Sequence, residues 1–234
     1  GYDLNISMDY NIQLYCEQAA EKTYIKKDAK YVSVIVMNPS NGEIFAMVNY
    51  PEFHLNDPFT LTEEVNVPAE KKQDLLNQMW RNQCISDTYE PGSTFKAMTF
   101  AAALNEGVID MYKDTYYDKG YEVVGGATIK SWKKGGHGLQ SFIEVLQNSS
   151  NPGFVEISRR LGKDRMYDYV SEFGFGKKTG VDIAGESKGI TFKYESFGPL
   201  EVATTAFGQG ISVTPIQLVS AFNSTINGGY LLKP

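Results

Sequence analysis

The chain has 234 residues, enough for one sizeable domain or two small ones, and its 42% hydrophobic and 21% charged residues are typical of a folded globular protein. Its 22 basic and 28 acidic residues give a formal net charge of -6, which offers no positive field to phosphates, so nucleic-acid binding is not expected. Apolar runs fall far short of the roughly 18 residues that a membrane span needs. The two cysteines, Cys16 and Cys84, and the two histidines lack disulfide-framework or metal-site spacing, so no metal is predicted.

The N-terminal part of the sequence predicts a helix followed by a β-hairpin. Apolar residues recur at helical spacing over residues 7–27, and Ser7 can cap the N-terminus of that helix. Residues 31–49 contain two strand-like runs of β-branched and apolar side chains on either side of a turn-forming sequence at residues 38–42. Residues 51–73 show no period and are predicted as loop with room for a short helix.

The middle of the chain predicts a buried helix and then a region of turns and short strands. Residues 93–106 are rich in Ala, Phe, Met and Leu and follow a Pro-Gly pair, which indicates a helix buried nearly all round. Residues 112–138 have the glycine punctuation of turns and strands. Ser141 and Glu144 have the spacing of a capping box, which predicts a short helix directly after the serine.

The C-terminal part predicts further helices. Two of them, at residues 153–161 and 163–173, are separated by Gly162. Thr214 is followed by proline, a pair that suits the cap and first position of a helix, which we expect to continue to Gly228. Strands near the start and helices thereafter favour an α+β fold over alternating βαβ units.

The strongest chemical signal is the sequence Ser93-Thr-Phe-Lys96 at the start of the predicted buried helix. Residues three apart on a helix share a face, so the lysine amine can reach the serine hydroxyl. Burial lowers a lysine pKa, and a neutral amine can take the serine proton, while N–H groups at the helix N-terminus can stabilise an oxyanion. The segment therefore predicts a nucleophile with its own base.

Spacing alone does not identify a catalytic pair, because Ser131 and Lys134 have the same spacing in a Gly-rich segment with no buried helix behind it. The ordinary interpretation of that second pair is a turn with a solvated lysine. A separate cluster is Ser149-Ser-Asn151, in which the first hydroxyl can relay a proton and the amide can orient a peptide bond. A polar turn between helices has the same composition, so this cluster alone does not establish a site.

Taken together, Ser-x-x-Lys followed by Ser-x-Asn is the active-site signature of penicillin-binding proteins and class A β-lactamases. The chain resembles the transpeptidase domain of class B penicillin-binding proteins, of the cell-division and sporulation type, over essentially its whole length. The segments that carry the resemblance are residues 6–13, 38–43, 46–48, 90–96, 137–138 and 208–218.

The resemblance implies one transpeptidase domain over residues 1–234, an α+β fold in which helices flank an antiparallel sheet, with a helical subdomain roughly within residues 74–180. It also implies the roles of individual residues. Ser93 would be the nucleophile and Lys96 its general base, while Ser149 would pass a proton to the leaving group and Asn151 would hold the substrate amide. The residues that it places against the substrate are Ser150, Trp132, Gly208 and Gln209.

The activity that the resemblance implies is that of a serine-type D,D-transpeptidase, which needs no cofactor. Its substrate would be the D-Ala-D-Ala end of a peptidoglycan stem peptide, and β-lactams would acylate and inhibit it. Such a domain would work on the extracytoplasmic face of a bacterial membrane, held by an anchor outside this chain, within a cell-wall synthesis complex.

The family also has a third motif, Lys-Thr-Gly, on a strand that faces the serine. Lys178-Thr179-Gly180 has that sequence, but it lies in a Gly-rich connection after a predicted helix, so we do not assign it this role. In related sequences the motif follows the segment equivalent to residues 208–218. We therefore expect the motif strand and the final helix to lie outside this chain.

Two other functions stay open from the sequence. A D,D-carboxypeptidase or a β-lactamase would need a base that activates water, and no residue clearly marks one. A β-lactam-sensing domain or a non-catalytic scaffold of the same fold would keep Ser93 and Lys96 without turnover. The sequence does not distinguish a role in division, elongation or sporulation.

Overall fold

The N-terminal residues form a helix packed on a β-hairpin. The computed structural model describes residues 3, 5–61 and 68–234. In it, α1 (Tyr10–Lys27) packs against β1 (Val32–Met37) and β2 (Ile44–Tyr50), which pair antiparallel. The predicted hairpin is confirmed.

The cap of α1 differs from the prediction. Asp9 is the N-cap, and its side chain accepts hydrogen bonds from the backbone N–H groups of Asn11 and Ile12 at 2.9 and 3.0 Å. The Ser7 hydroxyl instead donates to the carbonyl of Ile44 at 2.9 Å. The helix therefore begins later than predicted, because the preceding segment is held by strand β2 through a contact that helical spacing cannot reveal.

The region between the hairpin and the candidate nucleophile contains two helices, α2 (Ala69–Met79) and α3 (Gln83–Ser86). The first occupies the end of the predicted loop, and the part of that prediction covering residues 62–67 lies outside the described residues. The predicted helix after the Pro-Gly pair is divided into a 3₁₀ turn at Gly92–Phe95 and α4 (Lys96–Asn105).

Residues 115–141 form two small antiparallel sheets, and we call this segment the β insert. Strand β3 (Thr115–Asp118) pairs with β6 (Gly138–Ser141), and β4 (Tyr121–Val124) pairs with β5 (Ala127–Lys130). The hairpin of β4 and β5 therefore lies in sequence between the two strands of the other sheet. The strand character predicted for this region is confirmed.

The next two helices meet at the polar Ser-Ser-Asn turn. The capping box at the start of α5 (Phe142–Gln147) is confirmed, and the Ser141 N–H donates to Glu144 Oε2 at 2.7 Å. Helix α6 (Asn151–Glu172) is interrupted at Gly162, where φ is 78° and the backbone is not helical. The interruption lies at the predicted boundary between two helices.

The chain continues through α7 (Pro199–Thr205), which the sequence analysis did not predict, and α8 (Pro215–Ser224). The predicted Thr214 cap of α8 is confirmed, since its hydroxyl accepts from the Gln217 N–H at 3.3 Å. The helix ends at Ser224 rather than at Gly228. Among the described residues, none of the helices is long and apolar enough to cross a bilayer.

The main hydrophobic core lies under the helices around α4, and a smaller cluster joins the hairpin to α3 and α8. The fully buried residues of the main core include Met98, Phe142, Phe154 and Ile157. The smaller cluster is centred on Cys84, Ile85 and Ile216. Helix α4 is thus fixed from several sides, which places its first residue, Lys96, inside the protein.

Candidate active site

Ser93 and Lys96 lie on the same turn but in opposite environments. The Ser93 side chain is exposed, whereas Lys96 is only 1% exposed. The turn before them has Gly92 at φ 56°, in the left-handed region that glycine adopts without strain. The sequence thus places a solvent-facing hydroxyl three residues before a buried amine.

The buried Lys96 ammonium is fully hydrogen-bonded by the Ser-Ser-Asn turn. Its Nζ donates to the Ser149 carbonyl at 2.7 Å, to Ser149 Oγ at 2.9 Å and to Asn151 Oδ1 at 2.7 Å. It also lies 5.2 Å from the ring centroid of Phe154. Burial without such acceptors would be costly for a cation, so the turn and the lysine stabilise one another.

Burial lowers the pKa of Lys96 from 10.5 to about 8. The physical cause is desolvation, which disfavours the charged form of an amine inside a protein. At that value roughly a tenth of the lysine is neutral at pH 7, against about one part in three thousand for an ordinary lysine. The site therefore holds a lysine that can act as a base near neutral pH.

Ser149 connects the lysine to the candidate nucleophile. Its Oγ donates to Ser93 Oγ at 3.0 Å, while the same oxygen accepts from Lys96 Nζ. Helical spacing predicts direct reach from Lys96 to Ser93, but among the described hydrogen bonds the connection runs through Ser149. The three side chains form a continuous hydrogen-bonded series.

The turn that carries Ser149 has an unusual backbone conformation. Ser149 has φ 51°, one of two positive values among the described non-glycine residues. The N–H groups of Ser149 and Ser150 donate to the carbonyls of Leu146 and Val145, each at 3.0 Å, so the turn is closed against the end of α5. This conformation lets both the carbonyl and the hydroxyl of Ser149 face Lys96.

Ser150, which the resemblance places against the substrate, is held inside the protein. It is fully buried as the N-cap of α6, and its Oγ accepts from the Gly153 N–H at 3.2 Å and donates to Asp118 Oδ2 at 3.0 Å. A side chain in this position supports the turn and is closed off from solvent. Trp132 is 72% exposed, and its indole N–H donates to the carbonyl of Asn148, just before the turn, at 2.8 Å.

The Gly208–Gly210 segment lies directly beside the nucleophile. The Gly92 N–H donates to the Gly208 carbonyl at 3.0 Å, and a Cβ on Gly208 would stand 2.2 Å from the Gly92 oxygen. Gln209 is exposed next to it. Glu90, which the sequence analysis did not single out, accepts from the Gly210 N–H at 2.9 Å. In the sequence it is marked by its position next to the Ser-x-x-Lys motif, at the start of the segment 90–96 that carries the resemblance.

The sequences that repeat parts of the signature elsewhere have other partners. The Ser131 N–H donates to the Gly120 carbonyl at 2.9 Å, and Lys134 is exposed. In the Lys-Thr-Gly sequence, the Thr179 N–H and hydroxyl both donate to Glu186 at 2.6 Å, in irregular backbone rather than a strand. Glu186 thus holds this loop together through the backbone and hydroxyl of Thr179.

Metal chemistry has no candidate site among the residues that the structure describes, where no cluster of three or more His, Cys, Asp or Glu side chains could hold an ion. The polar groups around Ser93 are hydroxyls, an amide and an amine. Such a set suits proton transfer and acyl transfer.

Known proteins resemble this chain in sequence along its whole length. Residues 32–234 match the family model described as penicillin binding protein transpeptidase domain. The chain is 45% identical over 234 residues to stage V sporulation protein D of Bacillus subtilis and 29% identical over 245 aligned residues to the peptidoglycan D,D-transpeptidase MrdA of Acinetobacter baumannii. All of this chain is covered in both cases, and it spans 34% and 35% of the two relatives.

Solved structures resemble it in fold. One is the TP domain of Burkholderia pseudomallei penicillin-binding protein 3, with 25% sequence identity and a TM-score of 0.82. The match covers all of this chain and 61% of the Burkholderia chain. Another is penicillin-binding protein 3 of Mycobacterium tuberculosis, complexed with aztreonam, with 28% sequence identity and a TM-score of 0.81. That match covers 97% of this chain and 48% of the Mycobacterium chain. The predicted fold class is confirmed.

Proposed function

Because this chain belongs to the penicillin-binding protein transpeptidase domain family, we propose that it is the catalytic domain of a serine-type peptidoglycan D,D-transpeptidase. The observation that carries the proposal is the hydrogen-bonded series from buried Lys96 through Ser149 to exposed Ser93. A nucleophile must meet substrate at the surface, whereas its base works best where water is excluded.

In the first half of the proposed reaction, Ser93 Oγ attacks the carbonyl carbon between the two D-Ala residues of a donor stem peptide. The Ser93 proton passes to Ser149 Oγ as the Ser149 proton passes to the neutral Lys96 amine. The C–N bond then breaks, and the departing D-Ala amine takes a proton back through Ser149. An ester of Ser93 remains, and the proton count of the site is restored.

In the second half, the amine of an acceptor stem peptide attacks the ester carbonyl. That amine gives a proton to the series through Ser149, the new amide bond forms, and the Ser93 oxygen leaves and is reprotonated. A β-lactam enters by the first half alone. Its ring C–N bond breaks, but the amine stays attached to the acyl group, which keeps the position of the acceptor occupied.

Other residues would bind the substrate. The Asn151 Oδ1 accepts from Lys96, which leaves its amide N–H₂ as the group to donate to a substrate carbonyl. Gly208 is buried and its carbonyl accepts from the Gly92 N–H next to Ser93, whereas Gln209 and Trp132 are exposed. We propose Gln209 and Trp132 as direct substrate contacts, and we propose that the buried Gly208 and Ser150 support the backbone on which those contacts depend.

The relatives suggest the setting. One bears the name of a sporulation protein and another that of a peptidoglycan D,D-transpeptidase. We propose that this domain acts at the extracytoplasmic face of a bacterial membrane, anchored by a segment outside the chain, within a cell-wall synthesis complex used in sporulation or division.

The test is intact mass after incubation of the natural protein that carries this sequence with a penicillin. We expect one penicilloyl adduct, absent from Ser93→Ala and retained in the matched control Ser131→Ala. A folded protein without an adduct would overturn the catalytic proposal in favour of a scaffold.

Turnover separates the remaining alternatives. With a D-Ala-D-Ala peptide and an amine acceptor, a transpeptidase releases D-Ala and joins the acceptor. A carboxypeptidase releases D-Ala without joining it, a β-lactamase regains its unmodified mass within minutes, and a sensor is acylated by the penicillin yet releases no D-Ala.

A further inference from the structure

Asp118 is a buried carboxylate that the proposed mechanism does not use. It ends strand β3 and is 0% exposed. Its Oδ1 accepts from the Gly120 N–H at 2.7 Å, and its Oδ2 accepts from Ser150 Oγ at 3.0 Å. A buried carboxylate is costly unless donors satisfy it, so these two hydrogen bonds fix its position strongly.

Through Ser150, this carboxylate is joined to the turn that surrounds the lysine. Ser150 is the residue between Ser149 and Asn151, and both of these neighbours accept hydrogen bonds from Lys96. Ser149 has φ 51°, and such a conformation persists in a non-glycine residue only where the surroundings hold it. The hydrogen bond to Asp118 lies one residue away from this strained position.

The same β insert holds the other end of the turn. The Asn148 side chain donates to Gln140 Oε1 at 2.8 Å, and the Asn148 carbonyl accepts from the Trp132 indole at 2.8 Å. Gln140 is itself buried, on strand β6 beside β3. Three side chains of one small sheet region therefore hold the turn on both sides of Ser149.

We propose that Asp118 is a positioning residue for the reaction: it anchors Ser150 and thereby holds Ser149 and Asn151 in place around Lys96. This inference rests on the proposed function, and it assigns the β insert a task in the reaction rather than in the fold alone. Asp118 acts through Ser150 and does not touch the substrate.

The decisive variant is Asp118→Asn, which keeps the shape and the acceptor for Gly120 but replaces one acceptor oxygen by a donor facing Ser150. We expect the first-order acylation constant at saturating penicillin to fall at least tenfold, with a less than threefold change in the dissociation constant of the non-covalent complex.

The matched control is Glu122→Gln, because Glu122 lies in the same β insert and holds α6 through Arg159 at 3.0 Å without contacting the turn. We expect it to stay within twofold of the parent.

A double-mutant cycle tests whether the effect passes through Ser150. Ser150→Ala removes the hydroxyl, and we expect the double variant Asp118→Asn/Ser150→Ala to lose little beyond either single variant. Unchanged acylation in Asp118→Asn, or fully multiplicative losses in the cycle, would overturn the proposal. A variant that merely loses folded protein would show a reduced final adduct yield and a normal rate constant, which also counts against it.

If Asp118→Asn does not fold, the proposal is tested with Ser150→Ala alone. The same two quantities are compared with the parent: the acylation rate constant and the dissociation constant of the non-covalent complex. If the parent protein is not acylated at all, the proposed function fails separately. Asp118 is then judged by the NMR titration midpoint of the Lys96 side chain. We expect that midpoint to move in Asp118→Asn and also in Ser150→Ala, which changes no charge, because a loosened turn alters the solvation and the hydrogen bonds of the amine. A midpoint that stays unmoved in either variant would overturn the positioning role.

Discussion

The chain contains two Ser-x-x-Lys sequences, and the structure gives them opposite environments. Lys96 begins helix α4, is 1% exposed and donates to three oxygens of one turn. Lys134 lies in an irregular Gly-rich segment and is exposed, and the neighbouring Ser131 Oγ has no hydrogen-bond partner. The Ser-x-x-Lys sequence therefore provides a base for the serine only where a helix buries the lysine and a second segment supplies its hydrogen-bond acceptors.

The largest difference is expected when each lysine is replaced by methionine. Lys96→Met keeps length and volume but removes the base, so acylation by penicillin should fall by about 10²–10⁴-fold. Lys134→Met should stay within about twofold of the parent, because a solvated lysine contributes little. Stopped-flow or quench measurements of the acylation rate constant, with thermal melting as a check on folding, decide the matter. Equal losses in the two variants would refute the difference between the two Ser-x-x-Lys sequences.

The next effect is the pH dependence of acylation. Burial lowers the pKa of Lys96 to about 8, and the neutral form is the base, so the rate should rise with pH and level off above this value. Between pH 6 and pH 8 the neutral fraction grows about 50-fold, and the acylation rate constant should follow it. A rate profile flat over this range would mean that Lys96 does not act as the base.

A smaller effect is expected from two glycines that share a backbone conformation. Gly208, beside Ser93, and Gly138, in the region of the second motif, both have φ 75°. A Cβ at Gly208 would stand 2.2 Å from the Gly92 oxygen, whereas one at Gly138 meets nothing within 4 Å. Gly138→Ala should cost about 1–2 kcal/mol of unfolding free energy from the backbone alone, and Gly208→Ala about 3–5 kcal/mol.

Gly208→Ala should also lower acylation at least tenfold, since the backbone of Gly92 must move and takes Ser93 with it. Gly138→Ala should acylate normally once folded. Denaturant unfolding and acylation rates on both variants provide the check, and similar unfolding free energies for the two would contradict the crowding at Gly208.

Local features of the fold could be predicted from the sequence because their cause is local. The caps at Ser141 and Thr214 and the break at Gly162 depend on residues within one helical turn. The pairing of β3 with β6 could not be predicted, because the β4–β5 hairpin intervenes and strand-like residues do not identify their partners. The Asp9 cap could not be predicted for a similar reason, since contacts with β2 fix where α1 begins.

The candidate site likewise has a part that the sequence predicts and a part that it does not. The motif residues were identified by resemblance, but the contacts between Lys96 and Ser149 join positions 53 apart, and no spacing rule reports them. Glu90 and Gly210 are 120 positions apart. Asp118 had no signal at all, because a lone aspartate at the end of a short strand is ordinarily exposed. Its role became visible only once its burial and its partner were known.

The three oxygens around Lys96 Nζ have a consequence for both charge states of the amine. Two of them, the Ser149 carbonyl and Asn151 Oδ1, can only accept, whereas Ser149 Oγ can accept or donate. A charged amine has three N–H groups for three acceptors, and a neutral amine has two N–H groups for the carbonyls and a lone pair for the hydroxyl proton. Lys96 can therefore gain or lose a proton while only the Ser149 O–H bond rotates, and no heavy atom of the site has to move.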